Sequence, residues 1–129
     1  MEDRKRIVIL GATGSVGTSA LKVIRRHPDK LELVGIAAKK DSERLAEIAR
    51  EFSVKEACLF DAKAYSQARE SGLFSGDTNL SSGMDGLNRL ASLASCDTVL
   101  VAVVGTQGLL PSLTAIEAGK TLAIASKEI

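Results

Sequence analysis

A glycine-rich segment directly after a short apolar run constrains this chain more than any other feature of its sequence. The run at residues 7–10 is continuous and rich in β-branched side chains, which is typical of a central parallel strand covered by helices on both faces. It is followed by Gly11, Gly14 and Gly17, and from Ser15 onward apolar residues recur at helical spacing until a proline ends the pattern. The sequence therefore predicts a strand, a glycine turn and a helix, in that order.

The spacing Gly-x-x-Gly-x-x-Gly is a variant of the fingerprint by which strand–turn–helix units bind dinucleotides. A phosphate needs close access to the backbone, and the N–H groups and positive dipole at the helix start bind it. We expect Gly11 and Gly14 to line this turn and Gly17 to let the helix pack close to the sheet. Thr13 and Ser15 add hydroxyl donors without charge. A glycine turn that only reverses the chain is the alternative, and a Walker A loop is excluded because no Gly-Lys-Ser/Thr stands at the required spacing.

The rest of the chain alternates between strand-like and helix-like apolar segments. Strands are predicted at 31–38, 57–60, 98–104 and 121–125, and helices at about 42–52, 62–71, 87–94 and 109–118. Residues 72–86, rich in Gly and Ser, are predicted to be loops with at most brief local structure. This order predicts an α/β fold of the Rossmann type, a doubly wound, mainly parallel sheet with helices on both faces, and the 129 residues suffice for one domain.

The end of the second predicted strand indicates which dinucleotide is bound. In NAD enzymes an acidic residue at this point holds the ribose 2′-hydroxyl. Here Lys39 and Lys40 follow Ala38, and two ammonium groups suit the 2′-phosphate of NADP, so the sequence favours NADPH over NADH. A solvated charged turn is the alternative for the two lysines. Asp41 weighs against the preference unless it caps the following helix.

Charge and composition exclude several classes of protein. The 17 basic and 16 acidic residues nearly cancel, so no long-range field draws the chain to nucleic acid or anionic membranes. The apolar run after the N-terminus is too short for a signal peptide or a membrane span, which leads us to expect a cytoplasmic protein. Cys58 and Cys96 have no ligand spacing and are expected to be buried thiols. His27 and Asp97 lie away from the carboxyl ends of the strands, where ligands bind. We therefore expect His27 to be a surface residue and Asp97 to form a helix cap or a salt bridge.

Two segments carry a resemblance to a known family. The segment ILGATGSVGT at 9–18 resembles the opening of 1-deoxy-D-xylulose 5-phosphate reductoisomerases. The segment VGTQGLLP at 104–111, with AGK at 118–120 and IASKE at 124–128, resembles the family's VGAAGLLP, AGK and LANKE. Many oxidoreductases share the first pattern, whereas the second is far more specific. We therefore expect the fold and cofactor of this family.

The resemblance implies an activity and its cofactors. Such enzymes rearrange 1-deoxy-D-xylulose 5-phosphate, a phosphosugar, and reduce the resulting aldehyde with NADPH to 2-C-methyl-D-erythritol 4-phosphate, in non-mevalonate isoprenoid biosynthesis. They use a divalent metal such as Mg²⁺ or Mn²⁺, and the resemblance suggests a homodimer. The family's metal ligands, lid and remaining substrate residues lie beyond position 129. Residues 1–129 are therefore expected to be the NADPH-binding domain, unable to catalyse alone, of a chain that continues further.

The resemblance also implies individual roles. One set of residues is expected to contact NADPH: Thr13, Gly14, Ser15, Val16, Ala38, Lys39, Lys40, Ser126 and Glu128. Lys127 matches the lysine that reaches the substrate, and it directly follows the last predicted strand at the carboxyl edge, although a solvated charged loop is the alternative there. Two positions depart from the family. Its usual Asn is Ser126 here, and its Gly-Lys-Asn after the second strand is Ala38, Lys39 and Lys40, which gives a shorter hydrogen-bonding group and an extra charge.

Two other functions remain open on sequence grounds. One is a different NAD(P)H-dependent reductase, of the semialdehyde or dihydrodipicolinate type, which shares the first strand, turn and helix but not the GLLP segment. The other is a non-catalytic dinucleotide sensor that uses the same fold to respond to redox state. Carboxylates further along the gene product would distinguish the enzyme from the sensor.

Overall fold

Strands and helices alternate along the whole described chain. The computed structural model describes residues 4–103 and 105–125. The strands of these ranges are β1 (Lys5–Leu10), β2 (Leu31–Ala38), β3 (Glu56–Leu59), β4 (Asn79–Ser82), β5 (Thr98–Val101) and β6 (Thr121–Ile124). The helices are α1 (Ser15–Arg26), α2 (Ser42–Phe52), α3 (Ala62–Ser71), α4 (Gly83–Ala91) and α5 (Leu109–Glu117), with a short 3-10 helix (Gly105–Gly108) before α5.

The strands form one parallel sheet in the order β4-β3-β2-β1-β5-β6. Strands β2, β3 and β4 extend the sheet to one side of β1, and β5 and β6 extend it to the other. The winding therefore reverses at β1, and a crevice opens between the carboxyl ends of β2, β1 and β5, where proteins of this architecture bind ligands. The predicted Rossmann-type, doubly wound α/β fold is confirmed.

The central strands of the sheet, β1, β2, β3 and β5, are covered on both faces, as central parallel strands require. One face shares a core with α1, α2 and α3, and this core includes Ile9, Ile36, Ala57, Leu21, Ile24, Leu45, Ile48 and Ala68. The other face shares a core with α4 and α5, and this core includes Val8, Leu10, Ala37, Val99, Val101, Leu87, Leu90 and Ala115. Each fully buried aliphatic side chain contributes roughly 1.5–3 kcal/mol. The continuous apolar runs of the strands follow from this double burial.

The region between α3 and β5 differs from the prediction. Residues 72–86 contain β4 and the start of α4, and α4 spans Gly83–Ala91 instead of 87–94. The polar strand β4 lies at the sheet edge, where it pairs with β3 and where Ser81 Oγ donates to the Ala57 carbonyl at 3.2 Å. Because an edge strand needs little apolar surface, the sequence carried no strand signal. Strand β5 is also shorter than predicted and ends at Val101.

The residues expected to be structural are found in structural positions. His27 is exposed at the end of α1. Cys58 and Cys96 are buried free thiols, and burial raises the pKa of Cys58 to about 11. Asp97 forms an ion pair with Arg6 at 3.1 Å. None of the helices in the described part of the chain is long and apolar enough to cross a membrane.

Candidate nucleotide-binding site

The glycine turn begins with a residue that only glycine suits. Gly11 has a φ of 98°, and its N–H donates to the Ala37 carbonyl at 2.9 Å. A Cβ on Gly11 would lie 2.7 Å from the carbonyl oxygen of Ala102. The loop thus passes tightly between the ends of β2 and β5, and any side chain at Gly11 would push it away from them.

The other two glycines of the motif have different roles. A Cβ on Gly17 would overlap the carbonyl oxygen of Gly11 and lie 2.7 Å from Cα of Ala12. Gly17 therefore lets the start of α1 approach the backbone that directly follows β1. Gly14, by contrast, is exposed, and its Cβ would meet only Gly11 O, at 3.7 Å. The open side of Gly14 is where a phosphate has room.

The start of α1 is arranged for an anion. Its N-cap is Gly14, which offers no side-chain acceptor, and its first turn holds no acidic residue. The starts of α2 and α3 are closed by carboxylates, because Asp41 accepts from the Arg44 N–H at 3.2 Å and Asp61 accepts from the Ala64 N–H at 3.0 Å. The first N–H groups of a helix lack intrahelical partners and carry its positive dipole end. In α1 these groups are not occupied by a capping side chain.

A cavity of about 240 Å³ lies at the carboxyl ends of the central strands, beside this turn. Its lining residues are Gly11, Thr13, Gly14, Ala37, Ala38, Lys39, Phe60, Leu87, Ala102, Val103 and Gln107. The walls are largely apolar, and the polar side chains are those of Thr13, Lys39 and Gln107. The sequence-predicted residues Gly11, Thr13, Gly14, Ala38 and Lys39 are therefore brought together in one cavity.

The remaining predicted residues lie around this cavity or outside the described ranges. Lys40 is exposed on the turn after Lys39, and Ser15 and Val16 are exposed at the start of α1. Asp41 is engaged as the N-cap of α2, the role that sequence left open for it. The expectations for Ser126, Lys127 and Glu128 fall outside the described residues.

The structure adds lining residues that the sequence reasoning did not select. Phe60 follows β3 as Lys39 follows β2, and the turns are linked because the Phe60 N–H donates to the Ala38 carbonyl at 2.9 Å. The rule that parallel strands end at one sheet edge would have identified Phe60 and Val103. Leu87 comes from α4, whose start was misplaced, and Gln107 lies in the 3-10 helix after β5. Of these four lining residues, three are apolar and only Gln107 is polar.

Comparison with known proteins gives the family. A sequence profile described as 1-deoxy-D-xylulose 5-phosphate reductoisomerase matches residues 7–129. The chain belongs to this family. A reductoisomerase from Thermodesulfovibrio yellowstonii is 40% identical over 124 residues, which cover 96% of this chain and 32% of the relative. One from a Geobacillus species is 42% identical over 124 residues, with the same coverage.

Solved structures of the family agree with the fold. A crystal structure of DOX-P reductoisomerase in complex with magnesium has a TM-score of 0.88 and 36% identity, covering 97% of this chain and 31% of that one. The enzyme from Zymomonas mobilis in complex with NADPH has a TM-score of 0.87 and 32% identity, covering 97% and 32%. This chain thus spans about a third of the length of the curated relatives it matches.

The described residues do not build a metal centre. Within residues 4–103 and 105–125, no three His, Cys, Asp or Glu side chains are grouped so that they could hold a metal ion. The site consists instead of backbone N–H groups, the side chains of Thr13, Lys39 and Gln107, and apolar walls. This donor set suits a phosphorylated nucleotide and not a divalent cation.

Proposed function

We propose that this chain is the NADPH-binding part of a reductoisomerase that converts 1-deoxy-D-xylulose 5-phosphate to 2-C-methyl-D-erythritol 4-phosphate. The observation that carries the proposal is the cavity at the switch point of the sheet, where the uncapped start of α1, Lys39 and apolar walls converge. Membership in the family and the NADPH complex of the Zymomonas mobilis relative support it.

In this proposal the adenosine half of NADPH binds in the cavity, with its orientation set by the positions of α1 and Lys39. The pyrophosphate lies against Gly14 and accepts hydrogen bonds from the first N–H groups of α1. Ser15 and Val16 lie beside it. The 2′-phosphate lies at the end of β2, where Lys39 lines the cavity and Lys40 adds a second positive charge nearby. The adenine then enters the space between Ala38, Phe60 and the other apolar walls.

The remaining parts of the reaction lie with the rest of the protein. NADPH supplies a hydride to the substrate when both are bound. The residues of this chain hold the cofactor and fix its position, and the apolar walls exclude water from the adenosine. The Ala125 N–H donates to the Val101 carbonyl at 2.9 Å, so the chain is still beside β5 as it approaches Ser126. We place Ser126 and Glu128 near the cofactor and Lys127 at the substrate, in a cytoplasmic, homodimeric enzyme whose divalent metal is held by residues beyond position 129.

The test is the preference of the chain for NADPH over NADH. Calorimetric titration should show at least about tenfold tighter binding of NADPH, because Lys39 contacts a phosphate that NADH lacks; tenfold corresponds to about 1.4 kcal/mol. Lys39→Glu should abolish the preference, since a carboxylate repels the 2′-phosphate and suits the ribose hydroxyl.

A matched control separates the contact from the charge change. Lys55→Glu alters the net charge by the same amount. Lys55 precedes β3, at the amino ends of the strands and away from the cavity at their carboxyl ends, so this variant should keep the preference for NADPH. Equal affinity of the wild-type chain for NADPH and NADH would refute the assignment of Lys39. Absence of binding to either dinucleotide by a folded chain would refute the proposed function as a whole.

A further inference from the structure

Gln107 introduces an amide into an otherwise apolar part of the cavity. It lies in the 3-10 helix between β5 and α5, is half-buried, and lines the same cavity as Lys39, Phe60 and Leu87. A ligand that fills the cavity would take water away from this amide, and desolvating the amide is unfavourable unless the ligand offers it hydrogen bonds.

The other lining residues restrict what Gln107 can recognise. Ala38, Phe60, Leu87 and Val103 offer no side-chain hydrogen bonds. Thr13 and Lys39 lie on the turns to which the proposed function assigns the phosphates. Among the described lining residues, Gln107 is thus the polar side chain that remains for the base. Its amide carries both a donor and an acceptor. That pairing matches the edge of adenine, where an amino group donates beside a ring nitrogen that accepts.

We propose that Gln107 determines the base specificity of the site, by accepting from the N6 amino group of adenine and donating to the adjacent ring nitrogen. The inference rests on the proposed function, since it assumes that the cavity holds the adenosine half of NADPH. The ring nitrogen in this pairing is N7. Hypoxanthine carries an oxygen in place of the N6 amino group, so two adjacent acceptors, O6 and N7, would face the amide, and only one of them is satisfied whichever way the amide is turned. The site should therefore discriminate between these two bases.

The experiment compares NADPH with its reduced hypoxanthine analogue, which differs at that single group. Titration calorimetry of the wild-type chain should show about tenfold weaker binding of the analogue, in the range expected for a matched bidentate contact. In Gln107→Leu, which keeps the volume but removes the amide, NADPH binding should weaken about tenfold and the two ligands should become equal. Gln67→Leu, on the exposed surface of α3, is the matched control and should behave as wild type.

The possible outcomes distinguish a failure of this inference from a failure of the proposed function. If the wild-type chain binds NADPH and the analogue equally, Gln107 does not read the base, whereas the nucleotide-binding function stands. If a folded wild-type chain binds neither ligand, both proposals are overturned. The wild-type comparison needs no variant, so it decides the question even if Gln107→Leu folds poorly. A preference retained in folded Gln107→Leu would assign the discrimination to other groups.

Discussion

Gly14 and Gly17 belong to one motif but serve two different needs. The Cβ position of Gly17 is filled by the backbone of Gly11 and Ala12, whereas that of Gly14 is open, with Gly11 O at 3.7 Å. We expect Gly17→Ala to lower the free energy of unfolding by about 1–3 kcal/mol, because the turn must move to admit the methyl group. Gly14→Ala, at a φ of −81°, should cost about 1 kcal/mol or less, as a poorer N-cap, while weakening NADPH binding at least about tenfold.

Urea unfolding and calorimetry measure the two effects separately. Gly76→Ala is a suitable control, because a Cβ there would meet nothing within 4 Å and the residue lies outside the motif. It should change neither stability nor binding. If Gly14→Ala bound NADPH as tightly as wild type, the phosphate would have to lie elsewhere.

At the residue scale, the sequence was informative where chemistry and spacing combine. Gly11, Thr13, Gly14, Ala38 and Lys39 were predicted together, and all five line the cavity. The apolar wall was missed, since a phenylalanine or leucine has the same sequence signature in a core as in a binding site. Only the way the chain folds brings the end of β3 and a turn of α4 to the cavity.

At the scale of elements, the amino ends of β1 and β5 are joined by a charged pair. Asp97 accepts from the backbone N–H of Arg6 at 2.9 Å and from its guanidinium at 3.1 and 3.2 Å. These hydrogen bonds, first with the side chain and then with the backbone of Arg6, lower the pKa of Asp97 from 3.8 to about 2. A depressed folded-state pKa contributes stability above the unfolded-state pKa, and that contribution is lost as pH falls through the folded-state value.

The stability difference between wild type and Asp97→Asn should therefore depend on pH. Urea midpoints should differ by a constant amount from pH 7 to about pH 5, and the difference should shrink between pH 4 and pH 2. In the Arg6→Met background, Asp97→Asn should change the stability less at neutral pH, because the Asp97 carboxylate has already lost its partner. A wild-type to Asp97→Asn difference that is unchanged down to pH 2 would show that the ion pair does not contribute.

Element boundaries were predicted well where a helix carries its own terminal signals. Gly119 lies two residues beyond the end of α5 and has a φ of 77°. The Lys120 N–H donates to the Ala115 carbonyl at 2.9 Å, which is the Schellman arrangement typical of a glycine in that place. The start of α4 lacked such a signal. Gly86 suggested a loop, but it lies within α4, where the helix packs closely against β3 and β4. A Cβ on Gly86 would lie 2.6 Å from Cys58 Sγ, so this contact requires glycine. A tertiary contact of this kind cannot be read from local sequence.

At the scale of the whole molecule, the reversal of winding at β1 determines which half of the cofactor this chain holds. The cavity is lined mainly from the ends of β1, β2 and β3 and from α4, all on or beside the first half of the fold. In doubly wound sheets each half holds one mononucleotide, and the pyrophosphate crosses between them at the switch point. Lys39, the start of α1 and most of the apolar lining residues thus lie on the adenosine side.

This asymmetry predicts how parts of the cofactor stabilise the chain. A ligand that binds only the folded state raises the free energy of unfolding by about 2.7 kcal/mol at a concentration one hundred times its Kd. 2′,5′-ADP contains the base and both phosphates of the adenosine half. At one hundred times its Kd it should raise the Tm by roughly 10 °C, and NADPH at that same concentration should raise the Tm only a little more. Reduced nicotinamide mononucleotide at the same concentration should raise it little, since it reaches neither Lys39 nor the apolar walls. Thermal unfolding followed by circular dichroism measures both shifts, and a larger shift with the nicotinamide half would place the main contacts on the β5–β6 side of the sheet instead.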